Sequence, residues 1–244
     1  MNIGFVPSLV VVCVIGLAAG GGVAAATSRN AAQQPAPAAA PAAQQATVAL
    51  VVSNASPSFF PSLVPAVSVL QTLVALLIAQ AGAESLVIHF LHSYINSTHE
   101  RRAAEIVRAL WPNDYVTAGH AILSEYREFE RGVTAAVNAS VQPVLDRYLS
   151  RLRKELSAKS FDRDILVMQG NGGTISSTLI ARAAVNTVMS GPASGVMAAA
   201  YTGRASGQPN LITYDMGGTS TDVGLIENAV PQVSGELELE YAMP

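Results

Sequence analysis

Hydrophobic and polar positions along this chain follow two rhythms, short apolar runs and helical spacing, and the two alternate from residue 84 onward. Residues 85–91 form an apolar, β-branched run that reads as a buried strand. Ser97 stands three positions before Glu100, the spacing of a capping box, which predicts a helix from there to about residue 110. Pro112 stops it, and residues 115–118 suit a short strand. Residues 124–157 carry apolar positions at helical spacing with many Arg–Glu neighbours; Pro143 predicts a kink or a fresh start. Residues 164–168 read as a strand and 169–173 as a glycine turn. Ser190, Gly191 and Pro192 then open a small-residue helix to about residue 202. Two apolar runs, 211–214 and 223–226, flank a polar, glycine-containing turn, and residues 230–241 suit a last strand. Strands alternating with helices predict an α/β fold with a mixed sheet.

The first 83 residues follow neither rhythm for long. Residues 5–27 carry no charge and, as a helix, would extend about 35 Å, enough to cross a hydrocarbon core. Ala24, Ala25 and Ala26 offer a rival reading as the cleavage site of an export signal. No Lys or Arg precedes the run, and Gly20, Gly21 and Gly22 weaken a helix there. Residues 30–47 are Ala, Pro and Gln with little else and predict a linker. A short strand over 47–53, a loop over 54–65 and a helix over 67–82 follow. The chain thus divides into an apolar segment, 1–29, a linker, 30–66, and a folded domain, 67–244.

Charge sharpens that division. Arg29 is the only charged side chain before Glu84, and the formal net charge is −3. Such a balance gives no electrostatic footprint for nucleic acid. Cys13 is the only cysteine, so no intrachain disulfide and no cysteine-based metal site can form, which fits a reducing, cytoplasmic compartment. A membrane-anchored or exported location through residues 5–27 is the alternative. Asn54, Asn96 and Asn138 begin glycosylation sequons that matter only in that second case.

The candidate chemistry sits in the turn between the two late apolar runs. Asp215, Met216, Gly217, Gly218, Thr219, Ser220, Thr221 and Asp222 read as strand, tight turn, strand. Gly217 and Gly218 leave no Cβ in the way, so the N–H groups of the turn can meet a bound anion. Thr219, Ser220 and Thr221 add hydroxyl donors. Asp215 and Asp222 would repel a phosphate directly, but they suit a divalent cation or its waters. An ordinary hairpin with a polar turn is the bland alternative, and the length of the string argues against it.

This string resembles the phosphate-binding hairpin of the actin, sugar-kinase and Hsp70 ATPase superfamily. In its Met216 and Thr219–Asp222 form it resembles the hydantoinase A / 5-oxoprolinase family. Further segments resemble that family in its own order: Phe90, Leu91, His92, Ser93 and Tyr94 with His99 and Glu100; Glu125 to Arg131; Asn138 and Ala139; Met168 and Gln169 with Asn171, Gly172 and Gly173; and Ser190, Gly191, Pro192 and Ala193. The likeness covers about residues 72–244. It implies a partial actin-like (ribonuclease H-like) ATPase lobe behind an unrelated N-terminal segment. It also implies ATP-dependent opening of a small cyclic amide of the 5-oxoproline or hydantoin type, with ATP and Mg²⁺ as cofactors. On that carry-over Gly217, Gly218 and Thr219 hold phosphate oxygens beside Ser220 and Thr221. Asp215 holds the Mg²⁺ shell, and Asp222 orients the turn or a water. Asn171, Gly172 and Gly173 read either as lining the same cleft or as a plain strand-to-helix turn, and Ser190 and Gly191 either as part of an anion-binding helix start or as a capped, tightly packed one. A hydantoinase B-like subunit is the implied partner.

Two departures stand out: Ser124 replaces a usual proline and Gly170 a usual serine. A larger one is that the family's first Asp-x-Gly-Gly-Thr string has no counterpart in residues 1–83, and its adenosine-side segment none before Pro244. The expectation is a part of one lobe, inactive alone. Two other functions stay open: an acetone- or acetophenone-type carboxylase subunit, and a non-catalytic module tethered to a membrane. His89, His92, His99 and His120 show no metal-ligand spacing and read as structural, and the Glu125–Arg131 run reads as a solvated helix face.

Overall fold

The computed structural model describes residues 9–14, 46–52, 83–218 and 221–233, the first two stretches as backbone alone. It divides into two compact units, Met1–Pro143 and Val144–Pro244.

The N-terminal unit is built on a four-stranded, wholly parallel sheet in chain order: β1 (Leu9–Val14), β2 (Ala46–Val52), β3 (Ala83–Phe90) and β4 (Val116–Ala118). Leu9–Val14 is therefore a strand, not the middle of an apolar helix; the rest of residues 5–27 lies outside the described residues, as do the loop and helix expected over 54–82. No helix among the described residues is long and apolar enough to cross a membrane. Helix α1 (Thr98–Arg108) carries the chain from β3 to β4 as a βαβ crossover. A short helix, α2 (Gly119–Ile122), follows β4, and α3 (Glu128–Ser157) comes next with Pro143 inside it, so of the kink or fresh start that the sequence predicts there, no fresh start occurs.

β3 is buried on both faces, the pattern of a central parallel strand. Val87 packs with Ala135 and Ala139 of α3. Leu86, Ile88, Ala103, Ala104, Val107, Trp111 and Val116 complete the core. Trp111 Nε1 and Asn113 Nδ2 both donate to the Glu84 carbonyl, at 3.3 and 3.0 Å, and so tie the α1–β4 loop to the start of β3. Each large apolar side chain fully buried here contributes about 1.5–3 kcal/mol. Asn138 is buried and donates to Thr117 Oγ1 at 3.0 Å, so its sequon is closed to a glycan in the folded chain.

The C-terminal unit opens with an antiparallel pair, β5 (Leu166–Met168) and β6 (Thr174–Ser176). The glycine turn over 169–173 therefore joins two strands, not a strand and a helix. Next come α4 (Ser177–Ile180), a 3₁₀ segment (Ala181–Thr187) and α5 (Ser190–Ser206). Helix α5 stops at Gly207, whose φ of 74° is the left-handed value that glycine takes without strain. Gln208 N donates back to the Gly203 carbonyl at 2.8 Å and closes the cap. An antiparallel sheet follows, β7 (Leu211–Met216), β8 (Thr221–Glu227) and β9 (Val230–Pro231). The expected mixed sheet is thus one parallel sheet in the first unit and two antiparallel ones in the second. The strand expected over 230–241 is described only for Val230–Pro231; residues 234–244 lie outside.

Helix α5 lies on one face of the β7–β8–β9 sheet. Its small residues permit close approach: a Cβ on Gly203 would stand 2.5 Å from Leu211 Cδ1, and one on Gly224 would stand 2.5 Å from Val196 Cγ2. The other face of the sheet holds Ile212, Tyr214, Met216, Val223 and Leu225, all exposed.

Candidate functional site

The hairpin forms at the predicted place and sets its two aspartates against each other. Register pairs Tyr214 with Val223, Asp215 with Asp222 and Met216 with Thr221, leaving residues 217–220 as the turn. Like charges directly opposite cost roughly 0.2–1 kcal/mol in a hairpin. Among the described residues neither carboxylate has a cationic partner. Asp215 is exposed and Asp222 half-buried. Gly217, Gly218 and Thr221 are exposed, and a Cβ on Gly218 would meet nothing within 4 Å, so the tip is open. Thr219 and Ser220 lie outside the described residues.

The two other predicted segments gather on α5. Gly170 N donates to the Asn186 carbonyl at 2.7 Å, and a Cβ on Gly170 would stand 2.5 Å from the Val188 carbonyl, just before α5. Gly172 takes φ 81°, and a Cβ there would stand 2.9 Å from the Met197 side chain. Asn171 Oδ1 accepts from Gly173 N at 2.8 Å and shapes the turn from within. The turn thus rests on the first half of α5 through Met197, beside Val196, which touches the hairpin at Gly224. The hairpin runs from Leu211 at Gly203 to Thr213 and Gly224 at Val196, so it advances toward the start of α5, where Ser190 and Gly191 stand. Asp215 and Asp222 lie two residues further along that course.

The start of α5 is itself unusual. Its N-cap, Met189, takes a left-handed φ of 58° and provides no side-chain hydrogen bond to the first turn. Such a conformation costs a non-glycine residue about 1–2 kcal/mol. Gly191 has open space around it. The first N–H groups of α5 therefore lack a capping side chain and point along the helix axis, a direction in which they can meet an anion.

The hydroxyls of Ser176 and, at 3.3 Å, Ser177 meet Asp164 and hold its carboxyl below the usual carboxylate range. Among the described residues no cluster of three or more His, Cys, Asp or Glu could hold a metal ion. A cation at the hairpin would therefore take one or two protein carboxylates and draw its other ligands from water and phosphate. That is the ordinary habit of Mg²⁺ in phosphoryl-transfer sites, so the donor set fits.

The N-terminal unit holds a buried polar network that the sequence reading missed. Glu100, fully buried, accepts from Phe90 N at 2.7 Å, His120 N at 2.7 Å and His120 Nδ1 at 2.8 Å. It faces the end of β3 and does not close a capping box; Ser97 makes no side-chain cap. Arg131 is fully buried as well, which corrects its reading as part of a solvated face. Its Nη1 donates to the Glu125 carbonyl at 2.6 Å, its Nη2 to the Phe90 carbonyl at 3.1 Å and to Glu128, and its guanidinium lies 5.5 Å from the Tyr94 ring. Positions 131, 135, 138, 139 and 142 are all buried at helical spacing. That stripe is the signal which separates Arg131 from its solvated neighbours.

Comparison with known proteins finds relatives among ATP-dependent enzymes. The α subunit of caprolactamase from Pseudomonas jessenii is 39% identical over 145 residues, 58% of this chain and 20% of that protein. The crystal structure of the ATP-dependent caprolactamase from the same organism superposes with a TM-score of 0.59 at 34% identity, covering 65% of this chain and 23% of the other. A nucleotide-free acetone carboxylase, described as ATP-dependent, gives a TM-score of 0.56 at 32% identity over 66% of this chain and 23% of its own. This chain spans about a quarter of these proteins or less. The hydantoinase/oxoprolinase family model matches residues 131–243, the stretch that carries the glycine turn, α5 and the aspartate hairpin. Residues 131–243 are therefore a hydantoinase/oxoprolinase domain.

Proposed function

We propose that this chain is part of the ATP-binding subunit of an enzyme that opens a small cyclic amide, of the 5-oxoproline or hydantoin type, at the expense of ATP. The observation that carries the reading is the facing pair Asp215 and Asp222 at the open tip of a hairpin that advances toward an uncapped helix start. Backbone N–H groups at Gly217, Gly218 and Thr219, with the hydroxyls of Ser220 and Thr221, would hold phosphate oxygens. Asp215 would hold Mg²⁺, which when bound neutralises phosphate charge; Asp222 would orient the turn or a water. Asn171, Gly172, Gly173, Ser190 and Gly191 would line the cleft. Phosphoryl transfer asks mainly for positioning and charge neutralisation, and those are what these groups can supply. An actin-like lobe is the architecture in which such a hairpin serves, and a hydantoinase B-like subunit is the partner we expect.

The likeness to acetone carboxylase supports a second reading, in which the same ATP site serves a carboxylase of the acetone or acetophenone type. Both readings share the hairpin test. Replacing Asp215→Asn should weaken Mg²⁺-dependent binding of a non-hydrolysable ATP analogue at least tenfold by calorimetry, about 1.4 kcal/mol or more. An unchanged Kd, with the fold intact by circular dichroism, would remove the hairpin from nucleotide binding.

A further inference from the structure

The buried network of the N-terminal unit has no part in the proposed ATP chemistry, and one of its members, His89, is built to stay neutral. His89 is the penultimate residue of β3 and is 4% exposed. Its ring lies between two glycines: a Cβ on Gly119 would stand 2.7 Å from Nδ1, and one on Gly132 would stand 3.3 Å from Cδ2. Among the described residues Nδ1 has no hydrogen-bond partner. Nε2 lies 3.6 Å from Glu128 Oε2, the oxygen that already accepts from Arg131.

An imidazolium carries two N–H donors and needs two acceptors. Here the second N–H would point at the Gly119 backbone. Glu100 Oε1, which would stand 3.6 Å from the same Cβ on Gly119, already takes two donors from His120. The charged groups that face His89 are Glu100 from α1, His120 from α2 and Glu128 and Arg131 from α3. The loop after β3 adds His92, whose Nδ1 is 4.0 Å from Glu128 Oε1 and whose N donates to that oxygen at 2.9 Å. We propose that His89 is a proton-operated latch: neutral, it lets β3, α2 and α3 close around it, and protonated, it loosens that corner of the N-terminal unit in mildly acidic solution.

The direction of the effect follows from the surroundings. Burial, and then the Arg131 charge, hold the His89 pKa below its ordinary 6.5, against the opposing pull of Glu100 and Glu128. The unfolded chain therefore binds more protons than the folded one below that pH. Stability is fully present above about 6.5 and is lost as pH falls below it, and one proton changes the unfolding constant by up to tenfold per pH unit.

Trp111, the only tryptophan, is buried in this unit and reports its unfolding in the full chain. Urea titrations followed by its fluorescence at about pH 7.5, 6.5 and 5.5 should give an unfolding constant that rises up to tenfold between the last two. His89→Gln should flatten that rise, and the exposed-site control His92→Gln should keep it. The imidazole Cε1–H signal of His89 in the wild-type chain should titrate below the ordinary 6.5, a measurement that decides the matter even if His89→Gln fails to fold. A flat wild-type profile from pH 6.5 to 5.5, or a His89 midpoint at or above 6.5, would overturn the latch.

Discussion

A methyl group at position 119 would stand 2.7 Å from His89 Nδ1, a distance that real Cβ contacts do not show. Gly119→Ala must therefore move the ring, the start of α2, or both. Overpacking of this kind costs about 1–3 kcal/mol, and urea unfolding followed by Trp111 should read a loss of that size. The substitution is a volume test of the same contact that the latch proposal tests by charge. The residues around it also mark where sequence reasoning stops. A run of Arg and Glu over 125–131 reads as solvated because charge is costly to bury. Nothing local says that Arg131 finds the carbonyls of Glu125 and Phe90, the second of them 41 positions back. Glu100 was misread for the same reason: the capping-box spacing is a local signal, and two distant backbone amides compete for the carboxylate and win.

At the scale of the element, the hairpin was the most legible part of the chain. Its two β-branched runs mark the strands, and its polar string marks the turn, although the ladder runs two pairs further into that string, through Asp215–Asp222 and Met216–Thr221, than the apolar runs predict. The segment over 174–187 was illegible by contrast. It holds a three-residue strand, a four-residue helix and a 3₁₀ stretch, each too short to establish a period. What sequence alone did not reveal is the hairpin's open outer face. Ile212, Tyr214 and Met216 lie across from Leu225, Val223 and Thr221, with the apolar residues exposed. A face of this kind promotes association. Val223→Lys should lower the concentration-dependent self-association of the chain in light scattering. Thermal stability should stay within about 0.5 kcal/mol of the parent, because the side chain is largely exposed. If scattering does not change, that face is not what drives association.

The whole molecule pairs a parallel sheet, reached by a βαβ crossover, with antiparallel sheets that carry the candidate site. An α/β class was readable from alternation, but sheet type was not: pairing direction is set by connections, and the short strands that distinguish the two units carry weak signals. The family match lies over residues 131–243, so it includes the whole of the second unit up to its last residue and only the final part of the first. The chain spans 20% of caprolactamase subunit α. We expect the purified chain to bind nucleotide weakly and to turn over ATP far below the ~10 s⁻¹ typical of enzymes. Phosphate release at that typical rate would show that residues 1–244 hold a complete catalytic site.

The facing aspartates carry one more consequence, for the order in which the hairpin forms and opens. Its base is tied down: Asn228 N donates to Asn210 Oδ1 at 2.8 Å and Ala229 N to the Pro209 carbonyl at 2.6 Å. Near its tip two negative charges face each other across a single rung, Asp215 opposite Asp222, one step before the last pair, Met216 and Thr221. Such a ladder unzips from one end only. The rungs nearest the turn fray first and re-form last, so the amide protons there exchange with solvent ahead of those at the base. Whatever neutralises the two carboxylates would then complete the ladder as well as bind to it, and part of its affinity would be spent on ordering the last rungs.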